Sequence, residues 1–554
     1  MNDFIIQLII GSIVVLSFLG WSVFISQKLE LKSIYTVGYP ITLALFSQFF
    51  ILLALLGLFK YSVVVAILSL GFLFLIYYHS IFVSSVRACY DSFLKNSFLQ
   101  NACVFLVLYL VLGYFARWLM AQPYGDAEAF YLAYPKMLSI SDRLRVMPGT
   151  YENFAQIGIV FEILMSTIYK LAPDYSIKPM LYSVAAVLLL QIWSLTRKSG
   201  GNFWAGLLVI LVTITSGVYN EYIAEGKVEL FPSFFAIASF SLLLFSPIIS
   251  GRILFLSAFL AGVAVVAKFS YLVFLPPTLL LWAWYYRAQL SKIKFLLAVL
   301  AFLVPLLIHS LKNYLLFSEP LAPFVLLHSD VKPWTDQVWM SWASTYKMIA
   351  LYPLALVWGG YPMQGGIVGP YFLLLFPLAW FGVRNINLQQ SKKLFIFGAF
   401  GLGLWLIVRA RVFCPRYYLL PLLFLFSSLS IYFVEYWKQP KILKITKVVM
   451  VIALGVFYLF HARIAQAYLS TAKEAFRHAR RDYKICLWGT YSCPAQRKLS
   501  ELAPLGSRVL LSSYFGYNLR PDLLQCKNSS KEGFISFESA YLRGFRYVVF
   551  GLYF

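Results

Sequence analysis

The chain has 554 residues, of which 61% are hydrophobic and 12% charged, with a mean hydropathy of +0.77. An ordinary soluble domain carries about 25% charged residues, so this composition cannot clothe a water-facing surface and excludes a soluble globular protein. The formal net charge of +24 would suggest nucleic acid in a soluble chain. Here the basic residues sit between apolar runs rather than in one compact module, so nucleic acid is not expected as a partner and the lipid bilayer is.

Apolar runs long enough for a membrane helix recur along the chain. In order they fall near residues 5–25, 41–59, 63–82, 102–119, 180–193, 203–219, 230–245, 253–267, 271–285, 295–308, 371–381, 394–408, 417–434 and 448–460. A short apolar piece at 346–359 suits a re-entrant segment. The first run leads into further spans and reads as a membrane helix rather than a cleavable signal. The expected architecture is an all-α polytopic bundle of about 13–14 transmembrane helices with a small C-terminal α/β extramembrane domain. It divides into N-terminal helices over 1–100, a core over 101–463 with long loops at 120–179 and 312–370, and a tail domain over 464–554. In the tail, charge patterning at Lys473, Glu474, Arg477 and Arg480 is helical, and the runs 507–512 and 546–550 are strand-like.

Short basic connections fix the orientation. Lys28 and Lys32, Arg87 and Lys95, Arg197 and Lys198, Arg252, the group Arg287, Lys292 and Lys294, the group Arg384, Lys392 and Lys393, and the lysines from Lys438 to Lys447 all fall on one side if the spans alternate. That side is expected to be cytoplasmic. Both termini, both long loops and the tail then face the other compartment. The tail carries Cys486, Cys493 and Cys526. If that compartment is oxidising, two of the three can pair, and the sequence does not choose which.

Four constellations at the ends of apolar runs can carry chemistry. Asp126 and Glu128, in Pro-Tyr-Gly-Asp126-Ala-Glu128-Ala-Phe-Tyr131, follow the fourth span. They read either as solvated loop acids, or as a general base and a divalent metal site. Glu225, Lys227 and Glu229 crowd the next such turn, as an interfacial charge pair or as part of a site. Lys268 ends an apolar helix, where it either snorkels to the interface or holds an anionic headgroup. Arg409, Arg411 and Arg416 run against the positive-inside bias, so a partner is expected for them, and phosphate is a natural one. Alternation of the spans puts all four on one face. Acids that can activate a hydroxyl then share a compartment with cations that can hold a phosphate.

These motifs resemble those of the glycosyltransferase C (GT-C) superfamily, in particular the bacterial protein mannosyltransferases and aminoarabinose transferases. Tyr124-Gly-Asp126-Ala-Glu128-Ala-Phe-Tyr131 looks like the family's acidic motif in the first outer loop. The segment 153–162, beginning Asn153-Phe, is similar to the amphipathic segment that follows it. Glu225-Gly-Lys227-Val-Glu229 resembles the second acidic turn, with Glu where Asp is commoner. The run from Gly262 to Lys268, Asn313 with Pro320 and Pro323, and Arg416-Tyr-Tyr-Leu-Leu-Pro421 resemble later elements. The resemblance covers about residue 102 to the C-terminus, after three additional N-terminal spans.

What the resemblance implies is an inverting glycosyltransferase in the plasma membrane of a bacterial cell envelope. It would move a sugar from a polyprenyl-phosphate donor to a hydroxyl of a glycan, lipid or protein acceptor on the extracytoplasmic face. Asp126 would be the base and Glu128 would orient the acceptor, or the two would hold Mg or Mn if a metal is used. Lys227, Lys268, Arg411 and Arg416 would hold the phosphate, with Glu225, Glu229 and Tyr131 in support and Glu229 setting Lys227. Rival readings are a multi-span lipid or solute transporter or flippase, a non-catalytic assembly subunit, and a lipid-linked glycan polymerase or ligase.

Overall fold

A computed structural model describes residues 2–31, 33–95, 97–120, 130–146, 156–172, 174–226, 228–245, 249–325, 357, 368–369, 376, 379–384, 386, 388–408, 415–439, 444–478, 499, 502, 504, 509–511, 527–529 and 547–549. The apolar runs are helices, except that the run at 371–381 lies mostly outside the described residues. They are α1 (Asn2–Lys28), α2 (Tyr39–Leu55), α3 (Tyr61–Tyr77), α4 (His79–Leu94), α5 (Phe98–Met120), α6 (Ala133–Leu138), α7 (Val160–Tyr169), α8 (Lys178–Lys198), α9 (Phe203–Thr215), α10 (Gly217–Glu225), α11 (Leu230–Phe245), α12 (Gly251–Ala267), α13 (Leu275–Tyr285), α14 (Lys292–Phe317), α15 (Gln389–Val408), α16 (Leu419–Trp437) and α17 (Lys444–His478).

Among the described residues eight helical segments are long and apolar enough to cross a bilayer, and shorter apolar helices such as Phe203–Thr215, Leu230–Phe245 and Gly251–Ala267 run among them. The chain is a multi-pass membrane protein. Local signals mark where helices begin. Asn202 accepts from the Ala205 amide at 3.0 Å to cap α9, and Ser250 accepts from Ile253 at 3.2 Å to cap α12. Each satisfies a first-turn N–H that has no partner within its own helix. Pro sits in the first turn of α2, α8 and α13, where its missing N–H costs nothing.

With no hydrophobic drive between helices inside lipid, small residues set the close crossings. A Cβ on Gly20 of α1 would lie 1.9 Å from the Gly71 carbonyl oxygen of α3, and one on Gly262 of α12 would lie 2.3 Å from the Phe302 carbonyl oxygen of α14. The first two helices are woven into the bundle. Tyr39 of α2 shares a 2.8 Å hydrogen bond with Ser183 of α8, and Gln191 of α8 donates to the Thr36 and Phe234 carbonyls at 2.9 and 3.0 Å.

Several basic connections meet one another. Arg252 lies 3.5 Å from Glu30, Lys294 donates to the Ile249 carbonyl at 3.2 Å, and Lys393 donates to the Tyr286 hydroxyl at 2.9 Å. They share one end of the bundle, as span alternation requires.

Helix α17 runs from the last apolar run through to His478 and takes in the helical charge pattern at Lys473, Glu474 and Arg477. The first long loop contains α6 and α7. In the tail, β1 (Val509–Leu511) and β3 (Tyr547–Val549) fall within the two strand-like runs, and β2 (Lys527–Ser529) joins them in a parallel sheet of order β2-β1-β3. The apolar piece at 346–359, except Val357, and Cys486, Cys493 and Cys526 lie outside the described residues.

Candidate active site

Three charged residues from three helix ends meet at one point. Glu229 immediately precedes α11. Lys268 closes α12 in an extended conformation (φ −157°, ψ 112°), which turns its side chain away from the helix it ends. Arg416 lies in the 3-10 turn Pro415–Tyr418 that leads into α16. Lys268 Nζ donates to Glu229 Oε1 at 2.7 Å, and Arg416 Nε lies 3.8 Å from the same oxygen. Glu229 is 1% exposed, against 10% for the Lys268 side chain and 15% for that of Arg416. The carboxylate is therefore the inner member, and the two cations form its outer cover.

Tyr417 frames the pair. Lys268 Nζ stands 4.5 Å from its ring centre and the Arg416 guanidinium 5.0 Å, and Arg416 Nη2 donates to the Tyr417 hydroxyl at 3.2 Å. Ser270 Oγ donates to the Tyr417 carbonyl at 3.0 Å, and Trp405 of α15 stacks on the ring at 6.1 Å and 7°. The aromatic face supplies electron density to both cations. Among the described residues two cations share one carboxylate and one ring here, an arrangement that suits an anionic ligand.

Of the residues predicted from sequence, Glu229, Lys268 and Arg416 are brought together here. Glu229 finds its partners in Lys268 and Arg416. Asp126, Glu128, Lys227 and Arg411 lie outside the described residues, and Glu225 closes the backbone of α10. Tyr131 is buried, and the segment that follows the acidic motif abuts the second turn. Gly226 there has φ +71°, and a Cβ on it would stand 2.6 Å from Leu132 Cδ1. Leu132, in the segment after the first acidic motif, and Gly226, in the second acidic turn, are neighbours in space.

A second charged layer was not singled out from the sequence. Glu162, in the first turn of α7, is 1% exposed and its Oε1 accepts no hydrogen bond. Burial pushes its carboxyl up to about 8, against the opposing pull of Lys312 and Lys268, while the Glu229 charge adds to the rise. Lys312, also 1% exposed, donates to the Ile157 carbonyl at 2.8 Å. Its neighbour Asn313 donates to the Gln156 and Ala322 carbonyls, both at 2.9 Å. The last turns of α14 thus clamp the strand 156–159. On its other side a Cβ at Gly158 would lie 1.6 Å from the Val266 carbonyl oxygen, so only glycine fits between α12 and that strand. Asn313 was legible as a motif residue, but Glu162 and Lys312 carried no signal beyond being charges beside apolar runs.

The residues expected to hold a divalent metal, Asp126 and Glu128, are outside the described set. Among the described residues no three His, Cys, Asp or Glu side chains gather in a metal-binding group. No step below is routed through a metal.

No family model and no curated protein matches this chain. Among solved structures, ArnT from Cupriavidus metallidurans in the apo state shares its fold with a TM-score of 0.51 at 11% identity, over 82% of this chain and 90% of that one. ArnT from the same organism bound to undecaprenyl phosphate gives a TM-score of 0.48 at 13% identity, over 81% of this chain and 89% of that one. At such identities the likeness is one of fold. It is the polytopic helical architecture expected from the resemblance to the aminoarabinose transferases.

Proposed function

We propose that the protein is a membrane glycosyltransferase of GT-C type that moves a sugar from a polyprenyl-phosphate donor to an acceptor hydroxyl on the extracytoplasmic face. The observation that carries this reading is the buried Glu229–Lys268–Arg416 corner, set beside the segment that leaves the Asp126–Glu128 motif. It is supported by the fold shared with ArnT, a protein that binds undecaprenyl phosphate.

In the proposed reaction the acceptor oxygen forms a bond to the anomeric carbon, and the bond from that carbon to the phosphate oxygen breaks with its electrons going to the phosphate. The acceptor's proton passes to the Asp126 carboxylate. Attack from the face opposite the leaving group inverts the anomeric centre. The phosphate, a singly charged diester in the donor, leaves as a monoester with a second charge. Lys268 and Arg416 are placed to receive that charge without reorganising, because Glu229 and Tyr417 already fix them. Glu229 keeps the two cations together when no anion is bound. Lys227 and Arg411 are proposed as further phosphate ligands, with Glu128 orienting the acceptor and Glu225 and Tyr131 supporting the turn.

Purified protein in nanodiscs, given a panel of polyprenyl-phosphate sugars, tests the reading. Wild type is expected to release polyprenyl phosphate, and Asp126→Asn to bind donor while turnover falls by at least about a hundredfold, the scale of a general base. Undiminished turnover in Asp126→Asn would remove this residue from the chemistry. Retained turnover in Arg416→Ala and Lys268→Met would remove the proposed phosphate site.

A further inference from the structure

The first turn of α7 carries a group that the proposed reaction does not use. Glu162 is almost fully buried, one of its oxygens accepts no hydrogen bond, and the charges that act on it are those of the site itself: Lys268, Glu229 and Lys312. The ionisable groups around it come from every side. Tyr134 of α6 feels its charge. Lys312 lies at the end of α14, with His309 one turn earlier. Lys268 follows α12 and Glu229 precedes α11. Helix α2 brings no ionisable side chain other than Tyr39, whose hydroxyl is engaged by Ser183. The turn Asp174–Ile177 after α7 carries Asp174 and Tyr175. Glu229, the fellow carboxylate of Glu162, is already paired, 2.7 Å from Lys268, whereas Glu162 Oε1 accepts no hydrogen bond.

We infer that Glu162 is a proton-binding residue of the phosphate site: it takes up a proton from solvent when a phosphate monoester occupies the corner formed by Lys268 and Arg416. The inference rests on the function proposed above. Protonating Glu162 raises the net charge around Lys268 and Arg416 by one. The diester donor brings one negative charge, and the monoester product brings two. A second negative charge close by disfavours an ionised Glu162 by ordinary Coulomb repulsion in a poorly screened interior. Protonation is the cheapest relief, because this carboxyl is already held high by burial. By linkage, whatever binds with a proton binds more weakly as the proton becomes scarce. Glu162 therefore sets how the affinity for the spent carrier depends on pH. It acts through the charge of the pocket and is a positioning residue rather than a catalytic one.

The test uses the full chain in nanodiscs and undecaprenyl phosphate as the probe. Titration calorimetry at pH 8.5, where the probe's phosphate is already doubly ionised, is run in two buffers of different ionisation heat. Wild type is expected to take up about half a proton per ligand bound, from a carboxyl that titrates near 8 in the free protein and higher in the complex. Its Kd should rise about fivefold or more from pH 7 to pH 9. Glu162→Gln should bind with no net uptake and a flatter pH profile, and Glu162→Asp should restore uptake and show that the site tolerates substitution. Equal uptake in wild type and Glu162→Gln would overturn the inference and assign the proton elsewhere, Lys312 first. Binding by wild type with no uptake would also overturn it. No binding of undecaprenyl phosphate by wild type would overturn the function proposed above, and this inference with it.

Discussion

Glu229 has exchanged water for two cations, and its energetics follow from that exchange. Removing one partner of a buried ion pair leaves an uncompensated charge and costs about 3–5 kcal/mol. Lys268→Met is therefore expected to lower the melting temperature in detergent well beyond the effect of an exposed substitution. Adding Glu229→Gln to it should recover part of the loss, with a coupling of about 0.5–3 kcal/mol in the double-mutant cycle; strict additivity would mean that the pair is not coupled. The sequence exposed these residues because each is a charge at the end of an apolar run, where a charge needs a reason. It offered Lys227 as the partner of Glu229 by proximity along the chain. The fold supplies Lys268, 39 positions further on. Glu162 and Lys312 are not legible together for the same reason: spacing along the chain says nothing about two buried charges 150 residues apart.

Helices α12 and α14 and the strand 156–159 form one mechanical unit. The strand is held by Lys312 and Asn313 on one side and pressed on the Val266 carbonyl by Gly158 on the other. Gly158→Ala has nowhere to put its methyl, so the strand must lift and α7 must move with it. Donor affinity is expected to fall at least tenfold while the protein still inserts, as read by binding of a polyprenyl-phosphate sugar. Unchanged affinity would show that this strand does not support the site. Helices were legible from apolar length and cap residues, and the tail strands from short β-branched runs. Helix ends were less so. The run at 448–460 stopped where hydropathy fell, while α17 goes on as a polar helix to His478 because Ala, Lys, Glu and Arg are strong helix formers in water. The N-terminal helices read as an addition in front of the core, yet Tyr39 of α2 and the Thr36 carbonyl just before it are hydrogen-bonded to Ser183 and Gln191 of α8. A chain lacking residues 2–59 is expected to fail to fold, measured as the loss of a monodisperse species in detergent.

At the scale of the molecule, orientation and pH response can be checked directly. Cysteine introduced at Asp142, in the first long loop, should react with a membrane-impermeant maleimide on intact cells, and cysteine at Ser291, in a basic connection, only after permeabilisation. The reverse pattern would invert the proposed sidedness. The raised Glu162 carboxyl also predicts a stability profile. Its native titration lies near 8 against the usual 4.5, so the native state holds a proton that the unfolded chain has given up between those values. Stability from this group is complete below about 4.5, is lost as pH rises toward 8, and levels beyond. Relative to Glu162→Gln, the wild-type melting temperature should therefore fall across that window; a constant difference would mean that the carboxyl titrates normally.

Helix α14 has 26 residues and so is about 39 Å long, against a hydrocarbon core of about 30 Å. Pro305 lies midway along it, where it meets Gly262, and His309, Lys312 and Asn313 all lie beyond that proline. Much of the outer surface is large apolar side chains such as Leu296, Leu300, Leu307 and Leu311, exposed to lipid. A helix longer than the bilayer tilts or bends, and a proline is where it bends most readily. The thickness of the surrounding membrane thus reaches Lys312 and the strand it holds. Phospholipid acyl-chain length becomes a variable of the candidate site, although no lipid need enter it.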